Sequence, residues 1–165
     1  MINIKKYRGP IIIVNLVLLL AYFQYSVFNK EQLLTDGQLL LLQLAPVDPR
    51  SLMQGDYMQL RYEIARGVHP DSVGRRGYCV LQVLPDNTTQ LKRFQANKEP
   101  LAKDEQLLAY TSRNKWQIAL GAESFFFQEG QAKKFENAKY GGLRVDASGN
   151  SLLVDLYDEN LKKIR

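Results

Sequence analysis

Cysteine and histidine are almost missing from this chain: Cys79 and His69 each occur once in 165 residues. A lone cysteine excludes an intrachain disulfide framework, and one thiol with one imidazole falls short of the ligand set of a typical zinc site. No metal and no cofactor is implied. Cys79 lies in the apolar stretch GYCVLQVL and reads as a buried, inert thiol. His69 sits in the loop GVHPDSVGRRG, and its flanks do not signal a Ser-His-Asp arrangement. Internal repeats, low-complexity linkers and strong helix signals are also scarce.

A real excess of charge is lacking too, once the charges are placed. The net charge is +5, yet residues 1–30 hold Lys5, Lys6, Arg8 and Lys30 and no acid. The other 18 basic residues face 17 acidic ones, so the rest of the chain carries only +1. Such a balance offers no electrostatic footprint for a phosphate backbone, and a nucleic-acid partner is not expected.

What the sequence does have is one long apolar run, Pro10 to Phe28, PIIIVNLVLLLAYFQYSVF, with no charged residue in it. Nineteen residues of helix reach about 28 Å, close to the hydrocarbon thickness of a bilayer. Lys5, Lys6 and Arg8 precede the run, and this positive flank places the N-terminus in the cytoplasm and the remainder outside it. A cleaved signal peptide is the rival reading. Its hydrophobic region would be shorter, and the exit AYFQYSVFNK lacks the pair of small residues that cleavage needs. No cysteine follows the run as a lipid attachment point. Asn15 and Gln24 are its only amides, able to bond to a neighbouring helix. The organisation read from the chain is a basic flank over 1–9, an anchor over 10–28, a connector over 29–37 and one outer domain over 38–165.

The outer domain breaks into short runs separated by turns, the signature of strands. GQLLLLQLAPV reads as a buried first strand. In DYMQLRYEI, Met58, Leu60, Tyr62 and Ile64 alternate with polar neighbours, as on a half-buried strand. GYCVLQVL and TTQLKRFQ flank the turn PDN as a hairpin, and QLLAYTSR with KWQIALG forms a second. ESFFFQE is an aromatic strand. GQAKKFENAKY reads as the one helix, with Ala132, Phe135 and Ala138 or Lys139 at helical spacing and Gly141-Gly142 as its stop. LRVDASGNSLLVDLYD gives a last hairpin around ASGN. The expected fold is mainly β with one short helix (α+β): about eight strands in a compact barrel-like or sandwich domain.

Two blocks carry the chemistry of recognition. In VDPRSLMQGDYMQLRYEI, Pro49 and Gly55 shape turns that bring Asp48, Arg50 and Asp56 together on a loop. Here the chain resembles the GDYXXLXY family, because Gly55, Asp56, Tyr57, Leu60 and Tyr62 match its naming motif in order and spacing. A second block, FFFQEGQAKKFENAKYGGLRVDASG, is similar to the family's C-terminal signature at Phe127, Glu129, Gly130, Ala132, Tyr140, Gly141, Arg144 and Val145. The pattern often has an acid after its Tyr-Gly pair, where this chain has Gly142. The resemblance implies a membrane-anchored protein that partners a multi-span membrane protein rather than a stand-alone enzyme.

Physically, the motif glycines are turn or cap residues, and Leu60, Tyr62, Phe127 and Val145 are core. Asp48, Arg50, Asp56, Glu129, Tyr140 and Arg144 remain as a candidate polar cluster, either locking loops or holding a carboxylate or small ligand. No catalytic residue is assigned. The enzymatic alternative is a membrane-anchored hydrolase resembling type I signal peptidases, with Ser51 as nucleophile. Those enzymes place the serine eight residues before the glycine, where Val47 stands here, and Lys115 beside Trp116 is a poor base. The reading is therefore a single-pass protein of the bacterial inner membrane whose outer domain is an accessory or interaction module, in contact with the lipid bilayer and an integral membrane partner.

Overall fold

A computed structural model describes residues 4–45, 57–66, 68, 73–114 and 117–165. Its first element is helix α1, Ile4–Asp36, of 33 residues and about 50 Å in length. Between Ile11 and Phe28 its large side chains other than Val27 are exposed, from Leu16 at 53% to Tyr22 at 76%. A helix that apolar, packed against nothing, is costly in water, and by length and composition it can cross a membrane. The segment expected as a connector is helical up to Asp36, as a continuation of α1. Residues 29–36 contain no Gly or Pro, and Thr35 Oγ1 donates to the Glu31 carbonyl at 2.7 Å, so nothing interrupts the helix.

The helix ends where the sheet begins. The Gly37 N–H closes the last turn on the Leu33 carbonyl at 3.0 Å, and β1, Gln38–Gln43, starts at the next residue. A methyl group on Gly37 would collide with the Leu33 carbonyl oxygen and press on Arg144 Cβ at 3.3 Å. This tight join is available to glycine alone without a shift of the backbone.

Nine strands are described, paired antiparallel in three sheets. β1 lies beside β8, Tyr140–Val145, which lies beside β9, Ser151–Tyr157. β2, Tyr57–Gln59, pairs with β7, Ser124–Phe126. The third sheet has the order β4-β3-β5-β6, formed by Thr89–Gln95, Arg76–Val83, Glu105–Asn114 and Gln117–Ala119. The three expected hairpins, β3–β4, β5–β6 and β8–β9, are all present. Aspartates set two of the turns. Asp86 accepts from the Thr88 N–H and hydroxyl, and Asp146 accepts from the N–H groups of Ser148 and Asn150.

The sheets are open, so the barrel half of the expectation is not met and the domain is sandwich-like. Leu40, Leu42, Leu143 and Val145 from the first sheet meet Cys79, Leu81, Leu108 and Tyr110 from the third in the main core. A smaller core joins Met58, Leu60, Phe135 and Leu156. Outside the shared core the two large sheets bond where the Leu41 N–H donates to the Asn87 carbonyl and where the Ala109 N–H donates to the Gly149 carbonyl, each at 2.8 Å, but no ladder closes the circle.

The expected helix over GQAKKFENAKY shrinks to one turn, α2, Ala132–Phe135. Sheet pairing takes the rest. The Lys139 N–H donates to the Tyr157 carbonyl and its own carbonyl accepts from Leu44, each at 2.8 Å, so the chain must be extended before Tyr140. Gly141 and Gly142 therefore do not stop a helix; they lie inside β8. Phe135 still turns inward, meeting Phe125 and Phe127 at ring distances of 5.0 and 5.7 Å.

Candidate functional site

Two places bring the singled-out residues together: a clamp around Tyr62 and the junction between α1 and the domain. In the clamp, Tyr57 opens β2 opposite Phe126, with the two rings 5.8 Å apart. Met58 and Leu60 turn into the smaller core, and the Leu60 N–H donates to the Glu123 carbonyl at 2.7 Å. Tyr62 then crosses to the main core, where it is 2% exposed. Its hydroxyl donates to the Ala122 carbonyl at 2.6 Å. Burial, with the nearby Glu123 charge second, pushes the phenol well above its usual range, so Tyr62 is a neutral donor under all ordinary conditions.

The other signature block forms the far wall of this clamp. A Cβ on Gly141 would lie 3.0 Å from Tyr62 Cε1, so the absence of a side chain there makes the room that the ring occupies. One residue on, a Cβ on Gly142 would lie 2.5 Å from Cε2 of Tyr157. The Tyr157 ring thus fills the space beside the position where the family pattern often has an acid. The motif tyrosine and leucine are structural in this arrangement: they hold β1, β2, the residues before β7 and β8 in one register.

The junction is built from both ends of the chain. Arg144 Nη1 donates to the Gly37 carbonyl at 2.7 Å, tying β8 to the residue that ends α1. Beside this bond an open cleft of about 830 Å³ runs between α1 and the β8–β9 turn. Ser26, Asn29, Lys30 and Asp36 line it from the helix, and Gln106, Asp146, Ser148 and Asn150 from the domain. Gln106 and Asp146 are already committed, since Gln106 Nε2 donates to the Asp146 carbonyl at 2.7 Å and the Asp146 carboxylate holds its own turn. On the helix side the cleft is thus lined by residues with hydroxyl, amide, ammonium and carboxylate groups.

The described members of the candidate polar cluster lie apart. Arg144 serves the junction. Tyr140 is half-buried at the opposite end of β8, between Gln43 and Tyr157 in the register. Glu129 is exposed before α2, and among the described residues no ion pair joins it to Arg144. Asp48, Arg50, Asp56, Gly55 and the proposed nucleophile Ser51 lie outside the described residues, as do Lys115, Trp116 and His69. Cys79 is fully buried, and burial pushes its thiol up to about 12, which fits an inert core residue.

Sequence reasoning missed the strongest ion pair. Arg93 on β4 reaches across β3 to Glu105 on β5 with two bonds, Nη1 to Oε1 at 2.7 Å and Nη2 to Oε2 at 2.9 Å. The Ala102 N–H adds a third bond to the carboxylate at 3.0 Å, and Arg93 also reaches the Pro100 carbonyl at 2.8 Å. The Arg93 bonds, then the Ala102 bond, hold the Glu105 carboxyl down at about 2. No local signal could have found it, because Arg93 and Glu105 are neighbours only through the strand order. The Gly37–Arg144 bond, 107 residues apart in the chain, was hidden for the same reason.

Neither a comparison with curated proteins nor one with solved structures finds a match. A comparison with protein-family models does, over the span that contains α1 from its middle onward, the Tyr62 clamp and all but the last residue of the β8–β9 hairpin: the match to the GDYXXLXY protein model covers residues 19–156, and the chain belongs to that family.

Proposed function

We propose that the protein is a single-pass protein of the bacterial plasma membrane, N-terminus in the cytoplasm, whose outer domain is an accessory or interaction module for a multi-span membrane protein. One observation carries this reading. The apolar helix passes without a break into the sheet, and its end is locked there by the Gly37 turn and the Arg144 bond. A cleavable leader has no need of such a lock, whereas an anchor that holds a domain at a set height and angle above the bilayer does. The basic residues Lys5, Lys6 and Arg8 support the orientation.

The domain's chemistry favours binding over turnover. Among the described residues, the groups with the largest shifts in protonation, Tyr62, Cys79 and Glu105, are each committed to packing or to an internal bond. The test is purification of the full chain from native membranes in mild detergent. We expect it to keep Met1 or a residue close to it, and to bring down one integral membrane protein in stoichiometric amount. A mature N-terminus near Phe28, or a Ser51→Ala variant that accumulates normally but fails to complement a deletion strain, would refute the anchor and the accessory role respectively.

A further inference from the structure

At 3.6 residues per turn, Asn15, Leu19, Tyr22, Ser26, Asn29 and Leu33 fall within about 40° of one line along α1. Along this line Asn15, Ser26 and Asn29 are polar, whereas at the depth of Asn15 the opposite side, Ile13, Val17 and Leu20, is aliphatic; Gln24, the other amide of the run, lies further up on that opposite side. Asn15 is exposed in a shallow groove with Ile11, Ile12, Leu16 and Leu19, and its amide has no partner among the described residues. In hydrocarbon such an amide finds a hydrogen-bond partner only on another membrane segment. Further up, the same line becomes the helix wall of the 830 Å³ cleft. Ser26 and Leu33 are half-buried on this line, and Val27 beside Ser26 is half-buried too, where the domain overhangs the helix.

We propose that this face of α1, together with the cleft above it, is the docking site for one transmembrane helix of a different membrane protein. The inference rests on the reading that α1 spans the bilayer. The overhang selects the occupant. A second copy of this chain inserts in the same direction, so pairing the two Asn15 faces would drive both overhanging domains into the same volume. A soluble partner cannot reach Asn15 at all. The helix that fits carries no bulky domain at its near end: it ends or turns at the membrane surface beneath the β8–β9 turn, as helices of multi-span proteins with short loops do. The cleft then meets that helix end with Asn29, Lys30 and Gln32, groups able to pair the backbone atoms a helix terminus leaves unsatisfied.

The experiment uses the full chain in native membranes with the photo-crosslinker p-benzoylphenylalanine placed singly at Leu19, Tyr22, Val17 or Leu20, and at Phe126 on the outer domain. The expected result is at least about five-fold more protein adduct from Leu19 and Tyr22 than from Val17 and Leu20, with the adduct mapped by mass spectrometry to a membrane-spanning segment of a different chain. Asn15→Leu should cut the Leu19 adduct about five-fold, the weight of one interhelical amide bond. Equal yields from all four helix positions, or an adduct with a second copy of this chain, overturns the proposal. If Phe126 captures a multi-span protein while the helix positions yield only lipid adducts, the docking face falls and the accessory role stands. If no position captures an integral membrane protein, both fall.

Discussion

Replacing Gly141 by alanine should destabilise the protein in its natural background and cease to do so once Tyr62 is removed. The added methyl would lie 3.0 Å from Tyr62 Cε1 and 3.3 Å from its hydroxyl oxygen. That ring cannot yield, since it is 2% exposed and its hydroxyl is held by the Ala122 carbonyl at 2.6 Å. Overpacking of this kind costs about 1–3 kcal/mol. Tyr62→Ala should cost more, about 3–5 kcal/mol for the cavity of a buried aromatic. Tyr62→Phe keeps the ring and strands the Ala122 carbonyl, for about 1–2 kcal/mol. In the double variant the alanine methyl enters the cavity left by the ring, so its penalty vanishes or changes sign. The two changes should therefore fail to add by about 1–3 kcal/mol. Against a total stability of about 5–15 kcal/mol these differences are measurable by urea unfolding of the full chain in detergent, followed by circular dichroism. Strict additivity would mean that the two signature blocks do not bear on each other, and would refute the clamp.

Three further outcomes follow from other parts of the molecule. Arg144→Met removes the bond to Gly37 and should cost only about 1 kcal/mol of global stability, but should make residues 29–37 markedly more open to limited proteolysis; unchanged cleavage would show that the bond does not hold the helix. The folded Glu105 carboxyl at about 2 lies below an unfolded value of about 4.3, so its contribution is complete above that value and is lost as pH falls toward 2. Glu105→Gln should accordingly flatten the stability profile across that acid window, as read by unfolding at successive pH values. With its thiol pushed up to about 12, Cys79 should resist maleimide at pH 8 in the folded protein and react fully in urea; rapid labelling of the native state would contradict its burial.

Much of the architecture was legible because it depends on near neighbours in the chain. The alternation of Met58, Leu60 and Tyr62 appears as three side chains no more than 3% exposed, although the strand expected over DYMQLRYEI is limited to Tyr57–Gln59 and Ile64 lies half-buried in a short 3-10 turn. The PDN and ASGN turns carry the aspartates that bond back to them. The stretch GQAKKFENAKY forms only one turn of helix. Its spacing suits a helix, but Lys139 finds sheet partners on both sides, in Leu44 and Tyr157, and bonds between distant segments outweigh a short helix that lacks a side-chain cap. Closure into a barrel was equally beyond reach, since it depends on whether β1 and β4 pair along their length, and they meet only near Leu41 and Thr88.

The chain's own chemistry determined what needs no third dimension: one apolar run long enough to cross a bilayer, a basic flank that orients it, an outer part with almost balanced charge, and two motif blocks that name its family. Tertiary structure decided what those blocks do. Tyr62 and Gly141 are 79 residues apart in sequence, and only the β1–β8 pairing sets one against the other. Charge invites Arg144 to pair with acids, yet strand register places it beside Leu39, within reach of the carbonyl that ends the helix. Sequence specifies which groups can bond; the fold, by fixing distance, chooses the partner.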